Sequence, residues 1–145
     1  EPCIIENVPD LSDVQFMAEI LVHLGAEVEN LGAGVWKITA GDISPQAPYE
    51  LVRKMRASVC LLGPLVGRLR KARVALPGGC VIGQRPIDLH LKALACLGCE
   101  VKVETGDIVV DAKGLRGAPV FLGGRHAFPP LFITSVVILR VNIHG

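Results

Sequence analysis

The sequence predicts an α/β fold, and three observations carry that reading. Segments with a helical apolar period alternate with short segments of strand character. The order helix, Leu-Gly, strand, turn, strand occurs twice, at an offset of 73 residues. Of the 145 residues, 50% are hydrophobic but only 4% aromatic, so the core has to be built from Val, Leu, Ile and Ala. A chain of this length makes one ordinary domain and can bury such a core.

The elements follow in order. In LSDVQFMAEILVHLG, the apolar residues Val14, Met17, Ile20, Leu21 and Leu24 keep the helical period. Ser12 followed by Gln15 fits a capping box, and Gly25 is a good stop. Residues 26–30 and 35–39 read as strands around Gly32-Ala33-Gly34. A second helix is expected to begin near Pro48, to run through YELVRKMRASVCLL and to be interrupted at Gly63-Pro64. Arg53 and Arg56, three apart, would then share one face. Residues 72–76 alternate like a strand. A third helix is expected over 86–97 with Gly98 as its stop, then strands at 100–104 and 108–111 around Gly106 and a short strand at 119–122.

The repeat is a duplicated αβ unit, about 12–39 and 85–112, with Leu24-Gly25 on Leu97-Gly98, Glu27-Val28 on Glu100-Val101, and Val35 on Ile108 without a gap. Residues 1–125 hold this pattern. The tail 126–145 departs from it, and reads as a buried strand after a Pro-Pro turn. The chain starts without Met, close to a strand-like run at 3–5, and reads as a piece excised from a larger protein.

Composition narrows the function. No charged region precedes an apolar one as in a signal peptide, and no apolar run is long enough to cross a bilayer, so no membrane partner is expected. Five scattered cysteines argue against a disulfide framework and for a reducing, cytoplasmic setting. The net charge of +1 hides an asymmetry: residues 51–85 carry eight cations (Arg53, Lys54, Arg56, Arg68, Arg70, Lys71, Arg73, Arg85) and no acid. Such a block implies an anionic partner, or else a solvated basic face. Trp36 and Tyr49 are too isolated to stack bases, which weakens a nucleic-acid reading. The pair Cys96 and Cys99 lacks a second pair for zinc and fits packing at a helix end, so no metal is expected. His23, His126 and His144 have no ligand spacing, and His90, two residues after Asp88, reads as a helix-surface or interface residue.

The chemistry concentrates in LPGGCVIGQRP, residues 76–86. Gly78, Gly79 and Gly83 let ligand atoms come close to the backbone, and Pro77 and Pro86 set its entry and exit. Cys80 is therefore expected in a loop. Cations lower a thiol pKa from about 8.5, which suits Cys80 to act as nucleophile or proton donor near neutral pH. Arginine forks bind carboxylate and phosphate in a bidentate way, and Arg85 stands just ahead of a helix start that offers free N–H groups. The bland alternative is that Cys80 fills a tight turn.

APYELVRKMRASVCLLGPLVGRL followed by ALPGGCVIGQRPIDLHLKALACLGCEVKVE closely resembles the enolpyruvyl transferases, and among them the UDP-N-acetylglucosamine 1-carboxyvinyltransferases of early peptidoglycan synthesis. The resemblance runs from about Ile5 to Arg125, and the cysteine loop separates that group from its shikimate-pathway sibling. It implies transfer of the enolpyruvyl group of phosphoenolpyruvate to the 3-hydroxyl of UDP-N-acetylglucosamine, with release of phosphate and no metal or organic cofactor. By the same resemblance Cys80 is the proton donor that can also form a covalent adduct with phosphoenolpyruvate. Arg56 contacts substrate. Arg85, Pro86, Ile87, Asp88 and Leu89 hold the uridine nucleotide, with Arg85 also near phosphoenolpyruvate. The implied fold is an inside-out α/β barrel lobe of βαβαββ units, here incomplete. The family's Lys-Asn pair before Glu1, its second lobe with an aspartate base, and its phosphate-binding turn after Arg125 have no counterpart in this sequence. An enolpyruvyl transferase inactive as this chain alone is therefore expected. A non-catalytic nucleotide-sugar or anion-binding domain, and a thiol-dependent hydrolase, are the alternatives.

Overall fold

A computed structural model describes residues 1–47, 49–52, 56–76 and 87–120, with only the backbone of 56–58. In chain order it contains β1 (Cys3–Ile5), α1 (Ser12–Leu24), β2 (Ala26–Gly32), β3 (Val35–Ala40), α2 (Tyr49–Val52), a 3-10 segment (Arg56–Leu61), α3 (Leu62–Leu69), β4 (Lys71–Ala75), α4 (Asp88–Cys96), β5 (Glu100–Glu104) and β6 (Asp107–Asp111). The class is mixed α/β. The described strands form two three-stranded sheets, β1-β3-β2 and β4-β6-β5. In each, the last strand in sequence is the middle one, antiparallel to both neighbours.

The two halves share their fine construction. Each hairpin turns on two residues of positive φ, Ala33 (50°) and Gly34 (74°) in one, Thr105 (49°) and Gly106 (86°) in the other. That double left-handed turn matches the twist of paired strands. Each helix ends on a left-handed glycine, Gly25 (φ 105°) and Gly98 (φ 85°). After each hairpin the chain folds back on its own helix: the Ser44 N–H donates to the Leu24 carbonyl at 2.7 Å, and the Arg116 N–H to the Leu97 carbonyl at 2.9 Å. One difference is local. The pairing of β2 with β3 shifts between Asn30 and Gly32, where the Gly32 N–H donates to Asn30 Oδ1 at 2.9 Å. This irregularity adds a residue to the first hairpin, so the gapless match of Val35 with Ile108 slips by one: the turns align as 33–34 with 105–106.

The halves are joined by a short parallel contact. Gln46 bridges Arg73, with the Ala47 N–H donating to the Arg73 carbonyl (3.0 Å) and the Arg73 N–H to the Pro45 carbonyl (2.8 Å). From that bridge onward the described elements are α2, the 3-10 segment, α3, β4, α4, β5 and β6. Arg68 adds a second tie, its Nη2 donating to the carbonyls of Ala40 (3.0 Å) and Gly41 (2.9 Å). One apolar core lies beneath, with Ile20, Leu24, Val52, Leu62, Leu65, Val66, Val74, Leu94, Ile108 and Val110 among its buried members. Helices supply much of it, while Glu29, Lys37, Glu100 and Lys102 stand outside on the strands. Each fully buried Ile or Leu here is worth roughly 1.5–3 kcal/mol of transfer free energy.

Four local expectations are corrected. Ser12 does not cap α1: the N-cap is Leu11, no side chain caps it, and Gln15 Nε2 donates to Asp10 Oδ1 at 2.9 Å. Gly63-Pro64 does not interrupt a helix but lies in the first turn of α3, where a missing N–H leaves no bond unmade. His90 is a core residue, 6% exposed, and not a surface one. Residues 119 and 120 carry no strand. Arg53, residues 121 and 122 and the tail 126–145 lie outside the described residues.

Candidate active site

The site is built at one end of β4. Arg70, left-handed at φ 58°, closes α3 with its N–H on the Val66 carbonyl and turns the chain straight into β4. α3 packs back along that strand, so the 3-10 segment ahead of it, which also touches β4, lies toward the strand's C-terminal end. Arg56 is its first residue. At that same end the Leu76 N–H donates to the Gly106 carbonyl at 2.8 Å, fixing the point where the cysteine loop leaves the sheet beside the β5–β6 turn. α4 then starts at Asp88 and returns toward β5. The 3-10 segment and the exit of β4 thus both lie toward the C-terminal end of that strand, and α4 packs along β5. The carboxyl ends of strands, where loops meet helix starts, are the usual ligand position in α/β sheets.

The predicted residues are placed as follows. Ile87 is the N-cap of α4, half-buried against the core, and its carbonyl accepts from the N–H groups of His90 (2.9 Å) and Leu91 (3.1 Å). Asp88 is exposed in the first turn, and Leu89 is half-buried. Cys80, Arg85 and Pro86 lie outside the described residues, as does the side chain of Arg56. His90 packs behind Ile87–Leu89; burial pushes its imidazole below the ordinary range, with Asp88 opposing. Its hydrophobic setting gave no signal in the sequence, because a histidine at that helical position is read as polar surface.

Among the described residues the cations of the basic block do not share one face. Arg73 Nε pairs with Asp107 Oδ2 at 2.6 Å, a part-buried contact between β4 and β6. Arg68 is held by backbone carbonyls. Arg70 and Lys71 sit where β4 begins, a strand length from its loop end, about 13–17 Å at ~3.3 Å per residue. Arg56 opens the 3-10 segment that touches β4, and Arg85 lies outside the described residues. The thiols of Cys60 and Cys99 are pushed up, in both cases chiefly by burial, and are therefore poor nucleophiles. Cys3, Cys60, Cys96 and Cys99 are free. Among the described residues no group of His, Cys, Asp and Glu is placed to hold a metal ion, and no helix is long and apolar enough to cross a membrane.

The family model of EPSP synthase (3-phosphoshikimate 1-carboxyvinyltransferase) matches residues 1–139. The chain belongs to this enolpyruvyl transferase family. Several curated relatives share one name. The UDP-N-acetylglucosamine 1-carboxyvinyltransferase of Akkermansia muciniphila is 48% identical over 146 residues, covering 100% of this chain and 34% of its own length. That of Methylacidiphilum infernorum is 46% identical over 145 residues, again 100% and 34%, and that of an Anaeromyxobacter is 52% identical over 120 residues, 79% and 28%. The chain thus spans about a third of the length of the curated relatives it matches. In three dimensions it is similar to the enolpyruvyl transferase NikO from Streptomyces tendae, with a TM-score of 0.66 and 25% identity over 79% of this chain and 25% of that one.

Proposed function

We propose that this chain is the part of a UDP-N-acetylglucosamine 1-carboxyvinyltransferase that carries its cysteine loop. The observation that carries the reading is identity of 46–48% over the full chain to relatives of that one name. The sequence order Arg56, cysteine loop, Ile87–Leu89 supports it. The reaction moves the enolpyruvyl group of phosphoenolpyruvate to the sugar 3-hydroxyl. The hydroxyl oxygen bonds to the enol carbon, that carbon's bond to the phosphate oxygen breaks, and inorganic phosphate leaves. Cys80 supplies a proton to the methylene carbon, which makes the enol carbon electrophilic. A base takes the hydroxyl proton as the new C–O bond forms, and the methyl group gives up a proton as phosphate leaves, restoring the double bond. The Cys80 thiolate can also bond to the enol carbon itself. Arg85 and Arg56 neutralise phosphate and carboxylate oxygens. Pro86, Ile87, Asp88 and Leu89 hold the uridine nucleotide, with Asp88 at a helix start where its carboxylate is favoured. Residues 1–125 are read as most of one lobe built by duplication, part of an inside-out barrel whose helices face inward. The shared strand order of the two sheets and the helix-rich core support that geometry. The product would enter peptidoglycan synthesis.

Phosphate-release assays and calorimetry on the 145-residue chain test the proposal. The chain is expected to bind UDP-N-acetylglucosamine, to lose about tenfold or more in affinity on Arg85→Ala, as befits a charge-assisted contact, and to show no turnover alone. Absence of binding overturns the substrate assignment, and robust turnover overturns the inactivity. Binding that survives Cys80→Ala without any thiol labelling by phosphoenolpyruvate would favour a non-catalytic binding domain instead.

A further inference from the structure

The ion pair of Arg73 with Asp107 occupies a place that holds no charge in the other half. Val109 is the ladder partner of Arg73, and Asp107 lies two residues before it, so the two side chains meet diagonally on one face of the sheet. They close to 2.6 Å, with the Asp107 side chain only 20% exposed. A charge-assisted bond so short fixes direction as well as distance. In the first half the same two positions, counted from the turn and along the ladder, hold Ile4 and Val35. That half passes from strand to helix through residues 6–11, which hold no proposed site residue. The half with the pair passes through 76–87, which hold Cys80 and Arg85.

The two turns also differ in what lies on them. In the first half the passage packs over the turn, since a Cβ at Gly34 would meet the Val8 carbonyl oxygen at 3.0 Å and the Val8 nitrogen at 3.4 Å. At Gly106 a Cβ would meet nothing within 4 Å among the described residues. Yet this second turn accepts the bond from the Leu76 N–H to the Gly106 carbonyl, the last described tie before the cysteine loop. That carbonyl belongs to the planar peptide unit that ends on the nitrogen of Asp107. Holding Asp107 therefore holds the acceptor. Arg73 is a firm anchor, because its own N–H and carbonyl are bonded to Pro45 and Ala47.

We propose that Asp107 is a positioning residue for the proposed reaction: through Arg73 it fixes the peptide that holds Leu76, and so fixes where the cysteine loop leaves β4. This rests on the reading of Cys80 as the reactive thiol. The role needs no contact between Asp107 and substrate.

Amide hydrogen exchange and thiol alkylation of the full chain, both without ligand, test this. Asp107→Asn keeps the shape and removes the charge. The Leu76 amide should exchange about tenfold faster, the worth of one charge-assisted hydrogen bond. The Ala112 amide, bonded to the Arg70 carbonyl at the far end of β4, should keep its rate. The pH profile of Cys80 alkylation by iodoacetamide should move to higher pH, about threefold slower at pH 7, as the thiol leaves its cationic setting. Arg73→Gln should repeat both changes from the other partner, and Asp107→Glu, which restores the charge, should show neither. A Leu76 rate unmoved by both charge-removing variants overturns the proposal. So does a Leu76 amide that speeds up together with Ala112, or without any change at Cys80, since either makes the pair merely structural. A parent Cys80 no faster than Cys60 overturns the reading of the thiol and this proposal with it, a result that the parent chain gives before any substitution.

Discussion

At the level of single residues, burial decides which thiols and imidazoles can react. Cys60 and Cys99 are held in the protonated form by their packing, whereas the proposed role of Cys80 needs a thiol exposed among cations. Iodoacetamide at pH 7 should therefore modify Cys80 at least about tenfold faster than Cys60 or Cys99. UDP-N-acetylglucosamine should protect Cys80 and leave the exposed Cys3 and Cys96 labelled; peptide mass mapping reads both, and equal rates for Cys60 and Cys80 would dismiss an activated thiol. His90 gives a pH dependence. Its folded pKa lies below the ordinary 6.5 because burial disfavours the cation. The unfolded chain therefore binds the extra proton first, and stability is complete above about pH 6.5 and falls as pH drops toward and through the folded value. His90→Leu should flatten the urea midpoint across that acid limb, and an unchanged slope would show that another group governs it. The chemistry of the cysteine loop and its arginine is a reading of the sequence, since both lie outside the described residues. His90 in the core was not legible, because Asp88-Leu89-His90 gives no periodic cue to which side faces inward.

Helices and strands were legible to within a residue or two wherever a glycine or a two-residue turn marked their ends, as at Gly25, Gly98 and Thr105-Gly106. Misreadings came from motifs whose residues were present but otherwise engaged. Ser12 and Gln15 have capping spacing, yet the chain enters α1 from Leu11 and gives Gln15 to Asp10. Gly63-Pro64 looks like a break, yet a first turn tolerates both. The parallel bridge at Gln46 left no mark in the sequence, since a single bridged residue has no period. The terminal glycines carry a measurable load. A Cβ at Gly98 would run into the Gly114 carbonyl, whereas one at Gly106 meets nothing within 4 Å although φ is positive at both. Gly106→Ala should thus cost only the left-handed penalty, roughly 1–2 kcal/mol. Gly98→Ala should cost about 1–3 kcal/mol more through the clash, by urea denaturation. Equal losses would mean that the approach of helix end and return strand is not tight.

For the molecule as a whole, the α/β class and the presence of two similar halves could be read from periodicity and the 73-residue offset. Their topology could not, because nothing in a strand's composition says that the last of three will lie in the middle. Nor could the dispersal of the basic block, since neighbours in sequence at Arg70, Lys71 and Arg73 are separated from the loop by the length of the strand they begin. Within each half, the return of the chain onto its own helix fastens the hairpin exit, and the ladders fasten the strands. The passage from first strand to helix is tied to its hairpin turn at one point, by the Val8 N–H on the Gly34 carbonyl (2.8 Å) in one half and the Leu76 N–H on the Gly106 carbonyl (2.8 Å) in the other. It takes residues 6–11 in one half and 76–87 in the other, twice the length. Slack of that kind is inexpensive, since doubling a loop costs only about 0.6 kcal/mol in closure entropy. A frame stitched on either side of one seam can take extra length there, so new reactivity can be let into the fabric without recutting the cloth.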